Sequence, residues 1–115
     1  IQPKIRCSTK EIYSHVKKFS KKEKFNKNMI KSKIFFLDYL VNSKNDLQFI
    51  VEKKYPLLKR ILADITNMRG CCFSRMTGSG SVCYGLFKDQ KVAKKALIKL
   101  NNKYPKFWFS LAKTI

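Results

Sequence analysis

The sequence predicts an α+β fold, the ferredoxin-like split βαβ arrangement with extra helices in the first crossover. Three observations carry that prediction. Two short apolar runs, Cys71 to Met76 and Val82 to Phe87, flank a glycine-rich stretch and read as a β-hairpin. Apolar residues recur at helical spacing on both sides of that hairpin. An extended segment opens the chain and an aromatic run closes it. Right-handed crossovers then place the helices on one face of the sheet.

Taken in order, Ile1 to Cys7 is the end of a strand or an extended lead-in, with Pro3 arguing for an edge or an entry. Ser8 or Thr9 supplies a helix cap, and Glu11, three residues after Ser8, completes a capping box. The helix is expected to run to about Phe19, because Ile12, Val16 and Phe19 fall on one face. Tyr13 lies about 100° round from Ile12, at the margin of that stripe. Lys17 to Lys33 is lysine-rich and weakly patterned, a solvated helix end followed by a mobile loop. Ile34 to Val41 is a dense apolar block read as helix.

Asn42 to Asp46 is a turn. Asn45 or Asp46 is expected to cap a helix carrying Leu47, Ile50 and Val51. Pro56 interrupts that helix and opens another. Leu57, Leu58, Ile61, Leu62 and Ile65 give the second helix one apolar face, and Asn67 to Gly70 ends it, with Gly70 as the natural left-handed cap. In the second hairpin strand, Tyr84 shares a face with Val82 and Leu86, while Cys83 and Phe87 share the other. Val92, Ala93, Ala96, Leu97 and Leu100 make one stripe of a helix over residues 90 to 103, stopped by Tyr104-Pro105. Phe107 to Ala112 is a last aromatic strand.

The chain has 115 residues, 44% of them hydrophobic, which suits a single domain over residues 1 to 115 with a real core. It opens on Ile1 and is expected to be a piece of a longer protein. No apolar run approaches the ~20 residues that span a bilayer. The net charge of +19 invites a polyanionic partner. That charge rests on lysine; only Arg6, Arg60, Arg69 and Arg75 are arginine, the residue favoured for bidentate phosphate contacts. The lysines travel with Ile, Asn, Phe and Tyr, whose codons are AT-rich, so codon bias explains the charge better than nucleic-acid selection. Cys7, Cys71, Cys72 and Cys83 contain no CxxC pair, and His15 is the only histidine, so no metal site is apparent. Three of these cysteines sit in predicted strands as reduced thiols, which suits a cytoplasmic protein.

The chemistry concentrates in Arg75-Met76-Thr77-Gly78-Ser79-Gly80-Ser81. Glycine permits positive φ and close approach by backbone or ligand. Successive N–H groups in such a turn can form an anion-binding concavity. A plain hairpin turn accounts for the spacing equally well. The stretch is neither a Walker loop nor a dinucleotide fingerprint, because no Gly-Lys-Ser/Thr follows and a strand, not a helix, comes next.

Arg75 to Phe87, reading Arg-Met-Thr-Gly-Ser-Gly-Ser-Val-Cys-Tyr-Gly-Leu-Phe, resembles the C-terminal glycine-rich motif of the GHMP kinase superfamily. The version it is most similar to is that of the 4-diphosphocytidyl-2-C-methyl-D-erythritol kinases. Pro3 to Tyr13 and Asn45-Asp46-Leu47 agree in order and spacing, and the resemblance covers only that family's C-terminal domain. It implies an ATP-dependent kinase acting on a cytidine-diphosphate-linked alcohol in non-mevalonate isoprenoid biosynthesis. ATP, Mg and the catalytic residues would belong mainly to the N-terminal domain, so none of the catalytic residues is carried over and this chain alone is expected to be inactive. By resemblance, Thr77, Gly78, Ser79, Gly80 and Ser81 line the phosphoryl-transfer cleft. Thr9 faces the substrate, and Tyr13, four residues on and on the same helix face, stacks on the cytosine ring. A capped helix with a boundary aromatic needs no ligand and explains Thr9 and Tyr13 without one. Asn45-Asp46-Leu47 reads as a helix cap first and as cleft residues second, with Gln48 where the family carries Glu.

Two other classes compete. An RNA-recognition-type module shares the βαββαβ order and stacks bases on strand aromatics, for which Phe73, Tyr84 and Phe87 are the candidates. The strands lack the basic and aromatic signature of such modules, so nucleic acid is disfavoured as a partner. A regulatory ferredoxin-like domain binding a small ligand is the third class.

Overall fold

The computed structural model describes residues 1–22, 24 and 26–113. It is an α+β domain. The elements are helices α1 (Thr9–Ser14), α2 (Lys33–Asn42), α3 (Gln48–Lys54), α4 (Pro56–Thr66), strands β1 (Cys71–Met76) and β2 (Cys83–Phe87), and helix α5 (Gln90–Lys103). A short 3₁₀ turn, Lys27–Lys31, precedes α2.

The hairpin is antiparallel, with Met76 opposite Cys83 and Arg75 opposite Tyr84. An irregularity between Cys71 and Phe73 lets the two strands stay in register at both ends. α4 covers one sheet face. Leu58, Ile61, Leu62 and Ile65 on its inner stripe are all buried. Each such side chain contributes roughly 1.5–3 kcal/mol on leaving water. Ile12, Leu47, Val51, Met76, Cys83 and Leu100 complete the cluster. Ser74 fixes the packing, its hydroxyl donating to the Leu62 carbonyl (2.9 Å) and lying 2.7 Å from Thr66 Oγ1. Pro56 stands at the first position of α4, where its missing N–H costs nothing.

The outer strands are reduced to single residue pairs. Ile1 and Cys83 exchange two hydrogen bonds (2.8 and 2.9 Å), and Gln2 and Trp108 exchange two more (2.9 and 3.1 Å). The aromatic strand expected over Phe107 to Ala112 is therefore one bridge, with Trp108 itself exposed. The reason lies in Pro3. Consecutive residues of a strand bond to opposite neighbours, and the residue due to bond β2 next is a proline without an N–H. The Ile5 N–H then turns back onto the Pro3 carbonyl (2.8 Å) and the chain leaves the sheet.

α1 also stops short of the expected Phe19. Ser8 does cap it, accepting from the Glu11 N–H at 3.3 Å. At its other end Ser14 Oγ (2.6 Å) and His15 Nδ1 (2.7 Å) both crowd the Glu11 carbonyl. The His15 and Val16 N–H groups tighten to i−3 acceptors, and the lysine run beyond offers no apolar face to continue. Phe19 is exposed, whereas Val16 still packs against the core. Part of the loop expected before α2, Glu23 and Phe25, falls outside the described residues.

Two caps differ from expectation. Leu47, not Asn45 or Asp46, precedes α3, and no side chain caps it. α4 ends at Asn67, within the expected stretch, but Asn67 is the cap, and Gly70, at φ +80°, makes the turn into β1. A side chain at Gly70 would stand 2.6 Å from Val92 Cγ1.

Candidate functional site

Thr9 and Ser79 are 70 residues apart in the chain, yet their hydroxyl oxygens lie 2.9 Å apart. This contact joins the start of α1 to the glycine turn. Tyr13 projects from the face of α1 that carries Thr9, one helical turn on. Tyr13 is 51% exposed, so it is accessible to a ligand. The structure thus brings Thr9 and the turn residues together, with Tyr13 on the adjoining face.

The turn is held from three sides. Thr77 donates its N–H to Val82 O (2.9 Å), and Gly80 donates to Thr77 O (3.1 Å). Ser81 is buried, its hydroxyl donating to the Ile5 carbonyl at 2.7 Å. From α3, Gln48 Oε1 accepts from the Met76 N–H (2.9 Å), while its amide nitrogen donates to Glu52 (2.7 Å). Asn45, just before α3, donates to Met76 O (2.8 Å) and Gly78 O (2.9 Å). Sequence reasoning placed Asn45 as a cap before all else. The structure spends its amide nitrogen on the turn, and only its Oδ1 on the start of α3, accepting from Leu47 N at 3.0 Å. The signal was a lone Asn ahead of a helix, which cannot reveal a partner 31 to 33 residues away.

The two glycines of the turn differ. Both have positive φ, +55° at Gly78 and +92° at Gly80. A Cβ on Gly78 would meet nothing within 4 Å. One on Gly80 would meet Cys7 Sγ and Met76 Sδ at 3.0 Å and Val51 Cγ1 at 3.4 Å. Gly80 is therefore required by the domain's own packing, and Gly78 is the position open to close approach from outside. Among the described residues, the N–H groups of Gly78 and Ser79 have no acceptor. They are a pair of adjacent donors suited to an anionic oxygen.

Charge at the site comes from an exposed pair, Lys54 and Glu11, which tethers α1 to α3. The hydrogen bond from Lys54 holds the Glu11 carboxyl below the usual carboxylate range. Burial pushes the Cys7 thiol up, and carries Cys83 up to about 12, so both remain protonated thiols near neutral pH. Among the described residues no group of three His, Cys, Asp or Glu side chains could hold a metal ion. No helix there is long and apolar enough to cross a membrane.

The aromatics nominated for nucleic-acid stacking do not share a platform. Phe73 and Tyr84 meet edge to face at 6.0 Å on the sheet face away from α4. Arg75 lies over the Phe73 ring at 4.7 Å, with its guanidinium donating to the Leu40 carbonyl of α2 at 2.7 Å. Phe87 lies on the opposite face with Gly85, where a Cβ would approach the Phe87 ring and Ile65.

A family profile described as "GHMP kinases C terminal" matches residues 36–106. The chain belongs to the GHMP kinase C-terminal family. Curated relatives agree in name. A 4-diphosphocytidyl-2-C-methyl-D-erythritol kinase of Pelagibacter ubique (strain HTCC1062) is 41% identical over 114 residues, 99% of this chain and 40% of the relative. Proteins of the same name from Wolbachia pipientis wMel and Anaplasma phagocytophilum (strain HZ) are 34% and 31% identical, over 94% and 95% of this chain and 37% and 36% of theirs. The chain thus spans about two-fifths of the length of these curated relatives. No solved structure matches it significantly. The GHMP profile begins within α2, so it covers the glycine turn, Asn45 and α5 but not Thr9 or Tyr13. The match that includes Thr9 and Tyr13 is the full-span likeness to the named relatives.

Proposed function

We propose that this chain is the C-terminal domain of an ATP-dependent kinase that phosphorylates 4-diphosphocytidyl-2-C-methyl-D-erythritol on a hydroxyl group. The observation that carries the reading is the Thr9–Ser79 contact, which joins the candidate substrate helix to the candidate phosphate-cleft turn. The names of the relatives supply the substrate class. Thr9 orients the substrate, and Tyr13 is the stacking surface for cytosine. Thr77 through Ser81 form the cleft wall, with the Gly78 and Ser79 N–H groups facing phosphoryl oxygens. Bound Mg-ATP supplies the transferred phosphoryl group, held by the domain that precedes this one. What these residues contribute is position and hydrogen-bond donors, the two resources on which phosphoryl transfer depends.

The reading extends to fold and location. The pairings of Trp108 with Gln2, Ile1 with Cys83, and β1 with β2 support reading the fold as ferredoxin-like, with the outer strands reduced to single bridges. Reduced thiols suit work in the cytoplasm.

The test uses the intact protein with Mg-ATP and the cytidylyl alcohol. Turnover is expected there, and none from residues 1 to 115 alone. Tyr13→Ala is expected to raise the KM for the cytidylyl substrate about fivefold and leave that for ATP unchanged, with Tyr13→Phe near wild type; one stacking contact of ~1 kcal/mol sets that scale. Equal effects on both substrates would remove Tyr13 from the substrate site.

A further inference from the structure

We propose that Asn45 is the positioning residue of the glycine turn, aiming the Ser79 N–H into the phosphoryl-transfer cleft; this rests on the kinase reading above. Asparagine offers two donors and an acceptor on a short side chain. All three are used here. The amide nitrogen bridges the Met76 and Gly78 carbonyls, and Oδ1 takes the Leu47 N–H. One residue therefore locks the backbone on both sides of Thr77 to the start of α3.

The consequence follows from peptide planarity. In a trans peptide the C=O and the next N–H point in opposite directions. Holding the Gly78 carbonyl toward Asn45 sends the Ser79 N–H the other way. That N–H has no acceptor among the described residues. Gln48, the first residue of α3, assists by accepting the Met76 N–H, so the strand end is fixed before the turn begins. Aspartate could not substitute, because it would set a second acceptor against two carbonyl oxygens. Alanine would free both carbonyls, and the 78–79 peptide could then rotate. Neither change touches a reacting atom, so the effect belongs to orientation.

The experiment compares Asn45→Asp and Asn45→Ala with wild type in the intact kinase, using Mg-ATP and the cytidylyl alcohol. Leu100→Ala, a core change on α5, serves as the stability control. Expected for both Asn45 variants is a fall in kcat on the order of a hundredfold, the scale of a ~1 Å misplacement. The alcohol's KM should stay within about threefold, and amide exchange in peptides spanning residues 76 to 82 should quicken about tenfold. The control, losing as much melting temperature or more, should keep its kcat. Unchanged exchange would show that Asn45 does not hold the turn. Faster exchange with kcat retained would show that it holds the turn to no catalytic end. Either result overturns the proposal. If wild type transfers nothing to the cytidylyl alcohol, the substrate reading fails, and the exchange data still decide whether Asn45 holds the turn.

Discussion

The glycine turn and α2 are opposites. The turn is six residues, Thr77 to Val82, rich in small and polar side chains, and it is tied to α1, α3 and the N-terminal lead-in by hydrogen bonds of 2.7 to 2.9 Å. Helix α2 is the densest apolar run in the chain, yet none of its side chains is buried, and Ile34 and Phe35 are 80% and 69% exposed. Its visible tie to the hairpin is the Arg75 guanidinium on the Leu40 carbonyl. Apolar content therefore does not say that a segment is covered by its own chain. Short polar side chains at a glycine turn fix geometry far better than their hydropathy suggests.

Substitutions at the glycines sharpen that contrast most. Gly80→Ala combines left-handed strain of ~1 kcal/mol with crowding of Cys7 and Met76, for a loss of about 3 kcal/mol in all. Thermal unfolding of the intact protein measures it. A loss below 1 kcal/mol would mean the turn is loose and no better held than α2. Gly78→Ala adds its methyl to open space and should cost only the ~1 kcal/mol of strain. If Gly78 lines the phosphoryl-transfer cleft as proposed, turnover should nonetheless fall on the order of a hundredfold, the scale of a ~1 Å misplacement of reacting groups. If the two alanines lose activity only in proportion to stability, the turn is a hairpin device and nothing more.

The smallest effect belongs to α2. Ile34→Ser should change stability by no more than ~0.5 kcal/mol, because the 80% exposed side chain fills no core and the cap of α2 is made by Ser32. A melting-temperature loss as large as that of Gly80→Ala would erase the contrast between the two regions.

Much of this was legible in the sequence, and the gaps have physical causes. The α4 stripe, Pro56 at its start, the hairpin and α5 follow from local periodicity and turn chemistry, which need no distant partner. The outer strands were over-read because aromatic content says nothing of whether a neighbouring strand can keep bonding, and Pro3 ends that ladder after one pair. Phe19 looked like part of a third turn of α1 by spacing, but Ser14 and His15 compete for the Glu11 carbonyl and close the helix first. Thr9, Tyr13 and the turn residues were nominated through family likeness, and the meeting of Thr9 with Ser79 at 2.9 Å is a long-range fact that no local pattern holds. The bonds from Asn45 to Met76 O and Gly78 O escaped the sequence for the same reason. The sequence treats Gly78 and Gly80 alike, and only the packed structure separates them, with Cys7 and Met76 against a Cβ on Gly80 and nothing within 4 Å of one on Gly78.

The central claim is that α1 and the glycine turn make one catalytic wall. A double-mutant cycle on Thr9→Val and Ser79→Ala, read as kcat/KM of the intact kinase with the cytidylyl alcohol, tests it most directly. Each single change should lower kcat/KM, and the pair should couple by about 1 kcal/mol, the net worth of one hydrogen bond. Strict additivity, or two single variants with wild-type kcat/KM, would contradict it.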